Sequence, residues 1–257
     1  MKSIKPKKKF GQNFLIDDNI ARNIVSYLSD STTKTVIEIG PGKGILTNHL
    51  LKIPNKAKKF VEIDKECVEY LNNKYSNIEK DLINDDFLQV DLKLFKKPIS
   101  IIGNFPYNIS SQILFKVYEN RTLVNEMIGM FQLEVAERIC SNYGTKKYGI
   151  LSVLIQAFFE VKMMKKIKPN SFLPIPNVDS AVIKISKKTD RINCDENLFK
   201  KIVKQSFGQR RKTLRNSLKI FNITDIKKED TIFAKRPEQL SVSDFIYLTN
   251  LVGNENI

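Results

Sequence analysis

The feature that most constrains this chain is a glycine turn set between an apolar run and a helical one. Thr35-Val36-Ile37-Glu38-Ile39 reads as a buried strand, Gly40-Pro41-Gly42-Lys43-Gly44 as a tight turn, and Ile45-Leu46-Thr47 as the opening of a helix. Glycines at 40, 42 and 44 let the backbone turn sharply and approach a bulky ligand closely. The dinucleotide-binding fingerprint wants its third glycine at position 45, and this chain has isoleucine there. Strand and helix signals then alternate through residue 130, which argues an α/β fold with a doubly wound, mostly parallel sheet. A length of 257 residues suits one large domain, or one with a smaller companion, and 42% hydrophobic residues is enough for a core.

Two more strand ends carry acids. Lys59-Phe60-Val61-Glu62-Ile63-Asp64 ends in Glu62 and Asp64, and an acid at the end of the second strand of such a fold can accept both hydroxyls of a ribose. Period-two alternation puts both on one face, so spacing does not choose between them. Asp64 is equally suited to capping the next helix. A third strand through Leu82-Ile83-Asn84 runs into Asp85-Asp86-Phe87-Leu88, where an acid can accept an adenine amino group with Phe87 beside the ring.

A fourth apolar run, Ile99 to Ile102, leads into Gly103-Asn104-Phe105-Pro106-Tyr107-Asn108. A carboxamide, a proline turn and an aromatic ring thus meet at a strand's C-terminal end, where open α/β sheets bind ligands. The trio suits an exocyclic amine on a flat ring. The Asn104 amide oxygen and a nearby backbone carbonyl can accept both N–H bonds of an adenine amino group, and Tyr107 can stack on the base.

Glu38 two residues before a Gly-x-Gly-x-Gly turn resembles the nucleoside-methionine turn of S-adenosylmethionine (SAM) methyltransferases. The whole chain resembles the ribosomal RNA adenine N6,N6-dimethyltransferases, most closely the small-subunit (16S-type) members. Blocks in the family's order carry the resemblance: Phe10-Gly11-Gln12-Asn13-Phe14-Leu15, Glu38 to Gly42, Val61 to Asp64, Asp86-Phe87-Leu88, Gly103 to Ser110, Phe172 to Val182, Arg210 to Asn216 and Arg236 to Ser241. One departure stands out: Phe105 occupies a position where the family usually has leucine. The resemblance implies a Rossmann-like SAM-dependent methyltransferase sheet with an antiparallel edge. It implies that Asn13 and Leu15 touch SAM, that Gly40 lies under it, that Glu62 holds its ribose and Asp86 its adenine. Asn104 then faces both the methyl donor and the target amine, with Pro106 and Tyr107 beside it, and Phe172 clamps a flipped target base.

The antiparallel edge falls on the strand candidates Phe158 to Ile167 and Val178 to Ser186, separated by the proline-rich loop 169–177. After a polar linker near Lys187 to Asp195 the pattern turns helical. Leu198, Phe199, Ile202, Val203 and Phe207 recur at helix spacing, followed by Leu214, Leu218 and Phe221. The expected division is a methyltransferase domain over 1–188 with a basic N-terminal arm, and a helical, RNA-binding C-terminal domain over 189–257.

Charge sets the class of partner. Lys plus Arg number 43 against 28 Asp plus Glu, a net +15, which favours a polyanion through counterion release. Three basic clusters are candidates for holding RNA: Lys2, Lys5, Lys7, Lys8 and Lys9; Lys162, Lys165, Lys166 and Lys168 along a strand; and Arg210, Arg211, Lys212, Arg215 and Lys219 within less than three turns of one helix. Cys67, Cys140 and Cys194 show no metal or redox spacing and read as reduced thiols of a cytoplasmic protein. His49 is the only histidine, which argues against Ser-His or Cys-His catalysis. No run approaches the 18 apolar residues of a membrane span.

The expected reaction is methyl transfer from SAM to adenine N6, twice per base, on two adjacent adenines in the 3′-terminal hairpin loop of 16S rRNA within a small-subunit precursor. The expected enzyme is monomeric, requires no metal and does not engage a membrane. Three rivals are a large-subunit (23S) adenine dimethyltransferase, an assembly checkpoint that works by binding alone, and an NAD-dependent dehydrogenase. Ile45 and the lone His49 count against the last.

Overall fold

The computed structural model describes residues 4–221, 223 and 229–253, so Lys2 of the basic arm lies outside it. In chain order the elements are β1 (Phe14–Leu15), α1 (Asp18–Ser26), β2 (Thr35–Ile39), α2 (Ile45–Leu50), β3 (Ala57–Val61), α3 (Lys65–Lys74) and β4 (Leu82–Ile83). They continue with β5 (Ile99–Asn104), α4 (Ser110–Glu119), β6 (Val124–Gln132), α5 (Leu133–Ile139), α6 (Ile150–Phe158), β7 (Phe159–Ile167), β8 (Phe172–Leu173) and β9 (Ser180–Lys187). The last helices are α7 (Glu196–Gly208), α8 (Leu214–Ser217) and α9 (Val242–Gly253).

Seven strands form one sheet in the order β4-β3-β2-β5-β6-β9-β7. β4, β3, β2, β5 and β6 run parallel, and β9 joins β6 antiparallel with Gln132 opposite Ser180. This is the α/β methyltransferase architecture expected, with its antiparallel edge. The central strands are apolar without alternation because helices cover both faces of such a sheet. All five residues of β2 are buried, as are Ile99, Ile101 and Ile102 of β5. A separate two-stranded ladder pairs β1 with β8, setting Phe14 opposite Leu173 and Leu15 opposite Phe172.

Aspartate side chains start α1, α3 and α7. Asp17 caps α1 by accepting from the Ile20 amide at 3.0 Å, and Asp195 caps α7 by accepting from the Leu198 amide at 2.7 Å. The helix after the glycine turn begins instead at Gly44, whose φ of 76° is a left-handed conformation that a side chain strains.

The chain forms two compact units. One runs to Ala136 and resumes over Val161–Lys187; the other comprises Glu137–Glu160 and the chain from Lys188 onward. The second unit is therefore not confined to 189–257. The reason lies in α6, whose Leu151, Val153, Leu154 and Ile155 are buried and which packs on α7 and α9. Within the same unit Tyr148 meets Phe207 edge-on at 6.0 Å, and Phe207 stacks on Phe245 at 5.9 Å.

The basic block after α7 also differs from expectation. α7 ends at Gly208, the Lys212 amide turns back onto the Gln209 carbonyl at 2.8 Å, and α8 starts only at Leu214. Arg210 and Arg211 thus sit in a turn and Arg215 on a separate short helix, rather than all on one helix. Leu214 and Leu218 face inward, fully buried.

Candidate active site

The C-terminal ends of β2, β3 and β5 open onto a cleft of about 280 Å³. Gly40, Gly42, Glu62, Asp85, Asp86, Asn104, Phe105, Pro106, Tyr107 and Asn108 line it, and residues 9–14 form a further wall.

Gly40 has a φ of 64°, and a Cβ built there would meet nothing within 4 Å. Its missing side chain leaves open space over the turn. At Gly42 a Cβ would come within 2.9 Å of the Phe14 ring, so this glycine lets the N-terminal segment close against the turn. Glu38, two residues before the turn, is fully buried and accepts from the Thr47 hydroxyl at 2.7 Å. Burial pushes its carboxyl up to about 8, and the neighbouring Glu62 adds to the shift.

The structure separates the two acids that spacing left equivalent. β3 ends at Val61, so neither acid belongs to the strand proper. Glu62 lines the cleft, its Oε2 accepting from the Gly42 amide and its Oε1 from the Asp64 amide, both at 2.9 Å. Each oxygen keeps a second lone pair, so a vicinal diol can still be bound. Burial raises the Glu62 carboxyl above its usual range. Asp64 instead caps α3, accepting from the Glu66 amide at 3.2 Å, from Gln12 at 2.9 Å and from Lys7 at 2.6 Å. After burial, which acts in the opposite sense, the Lys7 bond is the largest influence on Asp64, and the net effect holds it below its usual range.

Asp85 and Asp86 both reach the cleft. Asp86 is the less exposed, and its Oδ1 accepts from the Leu88 amide at 2.9 Å. The loop is tied down from α4, where the Lys116 ammonium donates to the carbonyls of Leu88 at 2.8 Å and Val90 at 2.6 Å and lies 5.1 Å from the Phe87 ring centre.

Asn104 donates its amide N–H to the Asn13 carbonyl at 2.7 Å. That bond orients the carboxamide and leaves its oxygen as the acceptor. The Tyr107 hydroxyl lies 2.6 Å from that of Ser180, and burial raises the phenol above its usual range. Phe105 is buried between strands; a Cβ on either Gly103 or Gly129, paired residues of β5 and β6, would collide with its ring. It also meets Phe131 edge-on at 5.2 Å. The larger residue in place of leucine therefore fits because two glycines face it.

Asn13, Gly40, Glu62, Asp86, Asn104, Pro106 and Tyr107 are thus brought together on one cleft. Leu15 and Phe172 are not. They pair across the β1–β8 ladder and are buried in one core cluster with Ile128, Met130 and Val182. Phe172, 1% exposed, is a core residue here rather than a clamp at the rim. A ladder lying over apolar sheet residues gives a phenylalanine more contact inside than at the cleft edge.

Three contributors escaped the sequence reading. Lys7, assigned to an RNA-binding arm, pairs with Asp64 and with Glu66 at 2.9 Å. Lys116 and Ser180 bond to groups distant in sequence, and spacing does not reveal these partners. Among the described residues no group of three His, Cys, Asp or Glu is placed to hold a metal, and no helix is long and apolar enough to cross a membrane.

The cleft fits a nucleoside. Glu62 offers paired acceptors at the end of β3, Asp86 an acceptor beside Phe87, and Gly40 an unobstructed floor. Residues 3–246 match the family model of the ribosomal RNA adenine dimethylases. The chain is 48% identical over 260 residues to the ribosomal RNA small subunit methyltransferase A of Flavobacterium johnsoniae, covering 100% of this chain and 99% of that one. It is 49% identical over 256 residues to the protein of the same name from Bacteroides thetaiotaomicron, covering 98% and 96%. The crystal structure of a dimethyladenosine transferase from Plasmodium falciparum superposes with a TM-score of 0.81 at 24% identity, over 95% of this chain and 98% of that one. A 23S rRNA methyltransferase shares the fold at a TM-score of 0.70 and 24% identity, over 93% of this chain and 100% of that one. With a family match spanning nearly all its residues and near-half identity along the full length of small-subunit enzymes, this chain belongs to the ribosomal RNA adenine dimethylases, which are SAM-dependent methyltransferases.

Proposed function

We propose that the protein dimethylates N6 of two adjacent adenines in the 3′-terminal hairpin loop of 16S rRNA during assembly of the small subunit. The observation that carries this reading is the Asn104–Asn13 bond, which leaves an amide oxygen at the cleft beside Pro106 and Tyr107. The full-length relatives named as small-subunit enzymes favour that subunit over the large one.

SAM, when bound, supplies an electrophilic methyl group on a sulfonium. Glu62 would hold its ribose, Asp86 its adenine, Gly40 the floor beneath it and Asn13 the wall above. Leu15 backs this wall from β1 without reaching the cleft. An adenine amine is a poor nucleophile because its lone pair is delocalised into the ring. Asn104 Oδ1 and a backbone carbonyl accept its two N–H bonds, favour a more pyramidal nitrogen and aim the lone pair. Pro106 sets the turn, and Tyr107 stacks on the base. As nitrogen gains positive charge the same oxygens stabilise it. The methylated ammonium is acidic and releases its proton without a strong base, so no histidine is needed.

The helical unit contributes RNA contacts through its exposed basic residues, Arg211 and Lys212 among them. We place the enzyme in the cytoplasm, as a monomer whose cleft is built from one chain, because its substrate is ribosomal RNA in a small-subunit precursor. Methylation with labelled SAM, mapped along both ribosomal RNAs, tests the reading. Label on two adjacent small-subunit adenines is expected, and Asn104→Ala should remove it while leaving subunit binding in place. Label confined to the large subunit would refute the proposal.

A further inference from the structure

The Tyr107 hydroxyl has a partner that base stacking does not require. Stacking uses the face of a ring, and a phenylalanine has the same face. Yet the phenol oxygen lies 2.6 Å from the Ser180 hydroxyl. Ser180 is fully buried at the first position of β9, opposite Gln132 of β6, and the preceding Asp179 carbonyl accepts from the Leu133 amide at 2.9 Å. The serine is thus fixed to the sheet by its own backbone. The Tyr107 main chain is held separately, its carbonyl accepting from the Ser110 hydroxyl at 3.1 Å. With the backbone held, the freedom left to the residue is rotation of the side chain, and the hydroxyl pair removes the swing of the ring, because the phenol oxygen lies at the far end of the ring's long axis.

We propose that Ser180 is a positioning residue for methyl transfer, fixing through the Tyr107 hydroxyl the place in the cleft of the ring against which the target adenine stacks. The inference rests on the reading of Tyr107 as the base-stacking residue. A ring pinned at its far end keeps one place in the cleft for the incoming base. The base then arrives with its amine at the Asn104 oxygen rather than over a range of positions, and small misplacements of this kind cost large factors in rate. Ser180 touches neither base nor cofactor, so its removal should alter the bound-state rate and not the binding of either.

Single-turnover methyl transfer to unmethylated small subunits tests this, alongside SAM titration, subunit binding and thermal melting. The variants are Ser180→Ala, Tyr107→Phe, the two combined, and Tyr107→Ala. Ser180→Ala and Tyr107→Phe should each slow transfer about tenfold with both affinities unchanged, and the double variant should be no slower than either. Tyr107→Phe removes the same bond from the cleft side without disturbing β9, so it decides the matter if Ser180→Ala does not fold. Wild-type transfer by Ser180→Ala or Tyr107→Phe, with Tyr107→Ala slow, would overturn the role of Ser180 and leave Tyr107 as the stacking residue. A double variant whose loss is the product of the single losses would overturn it too. Wild-type transfer by Tyr107→Ala would remove the stacking reading and this inference with it.

Discussion

Glu38 and Glu62 put two carboxyl groups close to one glycine turn, and burial raises both. For Glu38 the consequence is a pH window. Below its ordinary value of 4.5 the group is neutral in folded and unfolded chains alike. Between 4.5 and about 8 the unfolded chain releases the proton while the folded one keeps it. Stability from this group is therefore full at low pH and is lost as pH rises through that window. Glu38→Gln keeps a neutral partner for Thr47 and should flatten the decline. Melting curves taken across the same window should show the wild type losing more than the variant, with a remainder from Glu62. Parallel slopes for the two proteins would mean that Glu38 is not the source.

At the level of elements, the cleft depends on loops held from behind. Lys116 on α4 binds two carbonyls of the loop that carries Asp86 and Phe87. Lys116→Met keeps the aliphatic stem and removes the donors, so the loop should loosen. Affinity for SAM should fall several-fold with little change in kcat, and equilibrium titration beside steady-state kinetics checks the split. Such support is what a sequence hides. The glycine turn and the Asn104-to-Tyr107 turn were legible because their chemistry is local: a positive φ, a fixed proline, an amide at a strand's end. Glu62 and Asp64 could not be told apart by alternation, since the strand stops at Val61 and the choice falls to Lys7 and Gln12, more than fifty residues upstream. Phe172 looked like a rim aromatic beside its prolines, and only its pairing with Leu15 reveals it as core. The arginine block suggested one helix because its basic residues fall within less than three helical turns. The chain breaks there after Gly208, where Arg210 donates to the Thr145 carbonyl at 3.1 Å.

For the whole molecule the net charge of +15 predicts strongly salt-dependent binding to RNA, but the basic residues divide by what holds them. Arg210 is engaged within its own unit, by Thr145 and by Glu238 at 3.8 Å, whereas Arg211 and Lys212 are exposed. Arg211→Ala with Lys212→Ala should weaken subunit binding and reduce the salt slope by about one to two phosphate contacts, with SAM affinity intact. Arg210→Ala should lower the melting temperature and leave the slope alone. Binding measured across a salt series separates the two, and the reverse pattern would reassign them. The helical unit has one more consequence, at the level of the gene. Its α6 is encoded ahead of β7, β8 and β9, and its remaining helices after them. A recombinant joining the front of one relative to the back of another at the end of β9 would inherit α6 from one parent and its packing partners, α7 and α9, from the other. Exchange of the unit between lineages therefore needs three crossovers, and single-junction hybrids would be selected against unless α6, α7 and α9 had changed little since the parents diverged.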